Sequence, residues 1–336
     1  VPLPGNPGCA PGVNDFRLAD AQDAEELQSL SALPVPGRWI DLSYARNFDH
    51  CREQILLGRT SLGELAALAL RSTPKLWRHG APQRLGYLGG LRIDPRHQGR
   101  NLLAEGFALL RRLHEADPVE EYLATIVEGN LLARRLLVER ARPSWPRFFP
   151  SGVLCTLALE TQPFPFQAGP PGEGGWRQEY FPCETPEEAG ERRLWLQHEG
   201  VVGCLRDLSR TRQTRVAGYH GALRWLRPTL NLWQRIWGRP QLPPAGGLLK
   251  GGYAGFVSSD GVRPRAFHGW LQRMLGMARA AGMDWLYLGL RESDPYLTTA
   301  RRFRHRLYRS QVFRVRYQGK PAPLTEGSPY LELAWL

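Results

Sequence analysis

The stretch that most limits how this chain can fold is residues 86–110. An extended apolar run, Gly86-Tyr-Leu-Gly-Gly-Leu-Arg-Ile93, is cut at Asp94-Pro95 and passes through a short polar turn into a helix. Pro95 cannot continue a strand ladder, and Gly99 permits backbone angles closed to other residues. From Leu102 the apolar positions 102, 103, 107, 110 and 113 recur at helical spacing. A strand that turns directly into a helix leaves the first helical amides without acceptors, and these add to the positive end of the helix dipole. Such a turn favours an anion. Arg96 and Arg100 flank it, His97 and Gln98 add donors, and a diphosphate fits the cradle.

Strand and helix patterns alternate through the rest of the chain. A short strand begins at Phe16, Asp20 caps a helix over 21–33, and Pro34 and Pro36 end it. A second helix is expected over 47–57. Strands over 64–70 and 85–93 read as antiparallel neighbours joined by a loop at 73–82. Then come a helix over 102–114, a strand over 121–127, a helix over 131–140 and a strand over 152–160. Residues 161–175, rich in proline and glycine, read as a linker. Beyond it, strands are expected over 201–208, 252–258, 284–290 and 312–317, with helices over 265–281 and 296–305. Residues 215–237 form an aromatic and arginine-rich connection with helical parts. The order strand–helix–strand–helix–strand thus occurs twice; a tandem duplication is the expectation, and two unrelated α/β halves are the alternative. The division is an irregular arm over 1–15, a first domain over 16–160, the linker, and a second domain over 176–336.

Length and composition suit two domains. The 336 residues are 42% hydrophobic and 23% charged, enough to bury a full core. A net charge of +12 points to an acidic partner. All but Lys75, Lys250 and Lys320 of the 44 basic residues are arginine, which a coding bias explains, and no long basic run occurs. That argues against nucleic acid and suits a polyphosphate cofactor. The five cysteines are scattered and odd in number, with no C-x-x-C pair. They fit a reducing, cytoplasmic setting and argue against a disulfide framework or a metal site. With no run of 18 apolar residues and no signal-like start, neither a membrane span nor export is expected.

The residues of the turn carry a resemblance. Pro95-Arg-His-Gln-Gly-Arg-Asn-Leu-Leu103 resembles the acyl-CoA pyrophosphate loop of the GNAT superfamily of N-acetyltransferases. The usual form of that loop is Gln or Arg, Gly, any residue, Gly, any residue, then Gly or Ala. Gln98 and Gly99 match. Asn101 stands for the central Gly and visits left-handed conformations more readily than most residues. Leu103 stands for the last small residue. The resemblance covers 16–160, and 176–336 follow it in element order.

The resemblance implies an α/β fold (an α+β mixed sheet): two GNAT-like lobes, each a mixed, mostly antiparallel sheet flanked by helices. It implies acetyl-CoA or another acyl-CoA as cofactor. Leu91, Arg92 and Ile93 would hold its acyl end and pantetheine. Arg96, His97, Gln98, Gly99, Arg100, Asn101 and Leu102 would hold its pyrophosphate, and Asn130, after the fifth strand, would touch it. The implied reaction is acyl transfer to a primary amine of a small molecule or peptide. Glu128, ending the fifth strand, is the candidate base, directly or through water. The family's frequent acid, a tyrosine in the next helix, is replaced by Leu137 and Val138. In the second half, Arg263-Pro-Arg-Ala-Phe267 lacks the Gln-Gly pair, so that half is expected to bind no CoA and to shape the acceptor cleft. Arg291 to Asp294, and Asp207, Arg212, Tyr219 and Arg227, are candidates to face the cleft. Two other readings stay open: a catalytically inactive GNAT-fold ligand-binding or assembly module, and an aminoacyl- or peptidyl-transferase that requires charged tRNA.

Overall fold

Apolar runs that alternate with polar turns in the sequence become strands of one sheet in a computed structural model of the chain. The structure describes residues 15–35, 37, 39–46, 54–78, 81–97, 101–139, 142–168, 191–259, 261–321 and 331–333. In the first half the elements are β1 (Asp15–Leu18), α1 (Ala24–Ser31), β2 (Ile40–Arg46), β3 (Gln54–Arg59), β4 (Leu65–Ser72), β5 (Lys75–Arg78), β6 (Ala81–Arg84) and β7 (Gly86–Ile93). They continue with α2 (Leu102–Ala116), β8 (Tyr122–Val127), α3 (Leu131–Arg134) and β9 (Arg147–Glu160). The second half holds β10 (Arg192–His198), β11 (Val201–Asp207), β12 (Arg212–Tyr219), α4 (Leu223–Ile236), β13 (Gly251–Ser259), α5 (Pro264–Ala280), β14 (Trp285–Arg291), α6 (Leu297–Ala300) and β15 (His305–Arg316).

Eleven of these strands form a mixed sheet in the order β1-β3-β4-β7-β8-β15-β9-β14-β13-β11-β10. Its parallel pairs are β7 with β8 and β13 with β14, one in each half. The last strand of each half is exchanged. β15 lies between β8 and β9, and β9 lies between β15 and β14. Both are long and pair on two sides, so the halves share one sheet. β2 pairs with β12, a second link between the halves.

Helices cover both faces. Leu56 and Leu57, adjacent on β3, point to opposite faces. Leu56 joins Phe107, Leu110 and Leu113 of α2, whereas Leu57 joins Leu27 and Leu30 of α1. In the second half Phe267, Trp270, Leu271, Met274 and Leu275 of α5 pack on Leu286, Leu288 and Leu290 of β14. Each such side chain contributes about 1.5–3 kcal/mol by leaving water. Gly203 makes room for this packing, since a Cβ there would lie 2.6 Å from the Trp270 ring.

Many arginines are structural. Arg78 and Arg314 are buried on the buried Glu121, and Arg193 and Arg206 on the buried Glu191. Arg206 also reaches Glu332 at 3.1 Å. A buried carboxylate held by two guanidiniums tolerates loss of neither partner. Part of the positive charge is therefore consumed inside the protein.

Several local expectations need correction. Of the helix expected over 47–57, residues 47–53 lie outside the described residues and Gln54–Arg59 is a strand. β3 is buried on both faces, and a short continuous apolar run does not distinguish a helix from such a strand. The helix expected over 296–305 shrinks to Leu297–Ala300, because β15 starts at His305 and pairs on both sides. Most of the loop expected over 73–82 belongs to a hairpin of β5 and β6 that runs on to Arg84. β2, β10 and β12 were not anticipated as strands. No helix among the described residues is long and apolar enough to cross a membrane.

Candidate functional site

The site begins where two parallel strands part. β7 and β8 pair at Gly86↔Tyr122, Tyr87↔Leu123 and Leu88↔Ala124, and the register ends there. On its other side β7 keeps pairing with β4 through Ile93, across a bulge opposite Leu68–Leu70. Gly90 lies in that bulge with φ +61°, where a Cβ would meet the Leu70 side chain at 2.7 Å. Glycine is the residue for this position. From Gly89 to Ile93 the edge of β7 that faces β8 has no strand partner among the described residues. Leu91 and Val127, on the two arms of the opening, are exposed.

The turn at the mouth is partly closed on itself. The Arg96 amide donates to Asp94 Oδ1 at 2.9 Å and the His97 amide to the Asp94 carbonyl at 2.9 Å. The Arg96 guanidinium is bidentate on Asp94, and that pairing lowers the Asp94 carboxyl below its ordinary range. Arg96 is thus turned back on its own strand end instead of standing free beside the turn. His97 is buried, with Nε2 3.4 Å from Glu64 and, among the described residues, no hydrogen bond to either ring nitrogen. Gln98, Gly99 and Arg100 lie outside the described residues. Asn101 takes the left-handed conformation, φ 60°, and precedes α2 as its N-cap. The amides of Leu102 and Leu103 find no acceptor among the described residues. Leu102 is buried against Ala66 and Ala67, and Leu103 packs against the core under α2, so neither side chain fills the opening.

On β7, Arg92 points away from β8. Its guanidinium donates to the Leu33 carbonyl at 2.7 Å and lies over the Tyr44 ring at 5.9 Å. Ile93 packs on the small cluster of Ala66, Ala67 and Leu102. Asn130 caps α3, its side-chain oxygen accepting from the Ala133 amide at 3.0 Å. Glu128 ends β8, exposed, with its carboxylate 3.1 Å from Arg309 Nε. Arg309 also holds Glu292 at 2.7 Å. The ends of β8 and β14 thus meet on one arginine of the exchanged strand β15.

Sequence reasoning missed this arginine, and it missed four phenols. Tyr44, Tyr253, Tyr287 and Tyr308 come from β2, β13, β14 and β15 and gather on the sheet face opposite α5. The rings of Tyr253 and Tyr287 are 5.3 Å apart. Burial, together with the neighbouring phenols, raises the Tyr287 hydroxyl well above the ordinary phenol range. Only the alternation of β14, with Leu286 and Leu288 on one face and Tyr287 on the other, hinted at this lining. Other candidates are structural. Asp294 accepts from the Tyr296 amide, Asp207 from the Ser209 amide, and Tyr219 donates to the Pro243 carbonyl. Among the described residues no cluster of three or more His, Cys, Asp or Glu is placed to hold a metal.

The second half repeats the device and closes it. β13 pairs with β14 only through Ala254↔Leu288, and β13 is bulged opposite Val202–Cys204. The bulge residue is Phe256, with φ 52°, an uncommon angle for a residue with a side chain. Its amide donates to Glu332 Oε2 at 3.0 Å. Leu331 and Leu333 anchor that segment on Leu154 and Leu123. The chain's own carboxylate thus takes the amide at the second bulge.

The sequence matches no protein-family model and has no significant match among curated proteins. Solved structures do match. An N-myristoyltransferase of Saccharomyces cerevisiae with bound myristoyl-CoA is 10% identical, over 98% of this chain and 89% of the other, with TM-score 0.54. A further structure of that enzyme with bound myristoyl-CoA gives 11% identity over 94% and 81%, with TM-score 0.55. A GCN5-related N-acetyltransferase from Sphaerobacter thermophilus is 16% identical over 91% and 96%, with TM-score 0.48. This chain has a GNAT fold. At these identities the likeness concerns the fold.

Proposed function

We propose that this chain is an acyl-CoA-dependent N-acyltransferase whose first half holds acetyl-CoA or another acyl-CoA and whose acceptor is a primary amine of a small molecule or peptide. The parting of β7 from β8 beside the Gly90 bulge carries this reading. The residues present fit a pantetheine arm, because an unpartnered strand edge offers it a ladder of amides and carbonyls. The open amides of Leu102 and Leu103, with Gln98, Gly99 and Arg100 of the turn, suit its diphosphate. Leu91, Arg92 and Ile93 contribute backbone, since the Arg92 side chain is committed elsewhere.

When bound, the thioester supplies an activated carbonyl and a thiol leaving group. The backbone amides of the bulge at Gly90 and Leu91 would be the donors for the thioester carbonyl of a bound acyl-CoA. Glu128, positioned by Arg309, accepts the proton of the attacking amine through water. The phenol-lined face receives the acceptor. Isothermal calorimetry with CoA and acetyl-CoA tests the donor site. Binding that Gln98→Ala and Gly99→Val weaken supports it, and no heat at millimolar ligand ends it.

A non-catalytic binding module is the second reading. It is favoured by the pairing of Arg96 with Asp94 and of Glu128 with Arg309, and by Leu137 and Val138 where the family often has tyrosine. Such a module binds CoA but releases no free thiol from acetyl-CoA with any of a panel of amines.

A further inference from the structure

Helix α4 is built inside out. Arg227, Asn231 and Gln234 form a polar stripe at helical spacing, and this stripe faces the protein. Asn231 holds Leu242 through two hydrogen bonds of 2.8 Å, and Arg227 donates to the Leu242 carbonyl and lies over Tyr219. The opposite face carries Trp225, Leu226, Leu230, Leu232, Trp233 and Ile236, followed by Trp237. All seven are exposed, from 39% at Leu230 to 77% at Trp225, and α4 has no buried residue. A continuous apolar face of this size on a monomer marks an interaction surface.

The surrounding charge selects the occupant. From Leu208 to Ser259 there is no Asp or Glu, while the stretch holds seven arginines and Lys250. A second copy would meet this face with the same acid-free stretch and the same net charge of +12, so self-association is opposed. An anionic lipid surface is attracted. Tryptophan, with an apolar ring and one N–H donor, suits the boundary between headgroups and acyl chains. With 14 residues, α4 is about 21 Å long and polar on its other face, so it lies along a bilayer and does not span it.

We propose that α4 is a membrane-surface anchor. Its Trp, Leu and Ile side chains enter the headgroup–acyl boundary of a bilayer containing anionic lipid, and the exposed Arg224 and Arg235 meet the lipid phosphates.

The test is flotation of the full chain with vesicles of phosphatidylcholine alone, or mixed equally with phosphatidylglycerol. The protein is expected to float with the mixed vesicles, less with the neutral ones, and less as salt is raised. Leu232→Glu and Ile236→Glu, on exposed positions, should leave circular dichroism and melting unchanged and weaken partitioning about tenfold or more each. Failure of the unaltered chain to float overturns the proposal, as does equal flotation of both variants. A dimer in sedimentation velocity that the variants abolish, without vesicle binding, reassigns the face to a second copy and also overturns it.

Discussion

Glu128 illustrates how a residue can be placed correctly by element and still be read incompletely. Its position at the end of the fifth strand follows from the pattern 121–127. Its partner Arg309 lies in β15, far along the chain, and nothing local announces it. Glu128→Gln is expected to lower kcat by roughly a hundredfold, as loss of a general base does, with acetyl-CoA affinity unchanged. Steady-state kinetics beside calorimetry would check both halves of that expectation. His114 offers a second prediction. Burial, with Arg71 adding to it, lowers its pKa below the ordinary value of 6.5. The unfolded chain then binds the proton more readily than the folded one. Stability is full above the ordinary histidine range and falls as pH drops through it toward the lowered value. Urea denaturation over a pH series should show that fall, and His114→Gln should flatten it.

At the scale of elements, β7 and β13 share a design and differ in its use. Gly90 makes the bulge of β7 without steric cost, whereas β13 places Phe256 at the corresponding angle and holds its amide with Glu332. Removing that carboxylate strands the Phe256 amide and takes from the buried Arg206 one of its two carboxylate partners, leaving it Glu191 alone. Glu332→Ala is therefore expected to cost about 3–5 kcal/mol of stability, the range for breaking a buried ion pair. Denaturant titration reads it, and Glu332→Gln, which keeps an acceptor, should cost less. The strand–turn–helix of β7 and α2 was legible because proline, glycine and apolar spacing act locally. β3 was not, because two-sided burial erases the alternation that marks a strand. β12 and β2 were missed because each is a strand only by virtue of the other.

For the whole molecule, the exchange of β9 and β15 has a mechanical consequence. Without β15, β8 and β9 in the first half would each expose an unpaired edge. Proteolysis confined to residues 169–190 is expected to leave the two fragments associated and folded, while residues 1–168 expressed alone should aggregate or remain unfolded. Native mass spectrometry of the nicked protein, and solubility of the fragment, check this. The amphipathic pattern of α4 is written in the sequence, since apolar and polar residues alternate there at helical spacing. Which face points outward is not, because Asn231 and Arg227 turn inward only when Leu242 and Tyr219 are in place to receive them. The sequence by itself determined the repeated strand–helix order, the turn before α2 and the excess of arginine, all properties of neighbours along the chain. Tertiary structure decided that β7 and β8 part, that Glu332 closes the second bulge, and that the phenols share one face. Each of these depends on segments whose separation in sequence leaves no local periodicity to read.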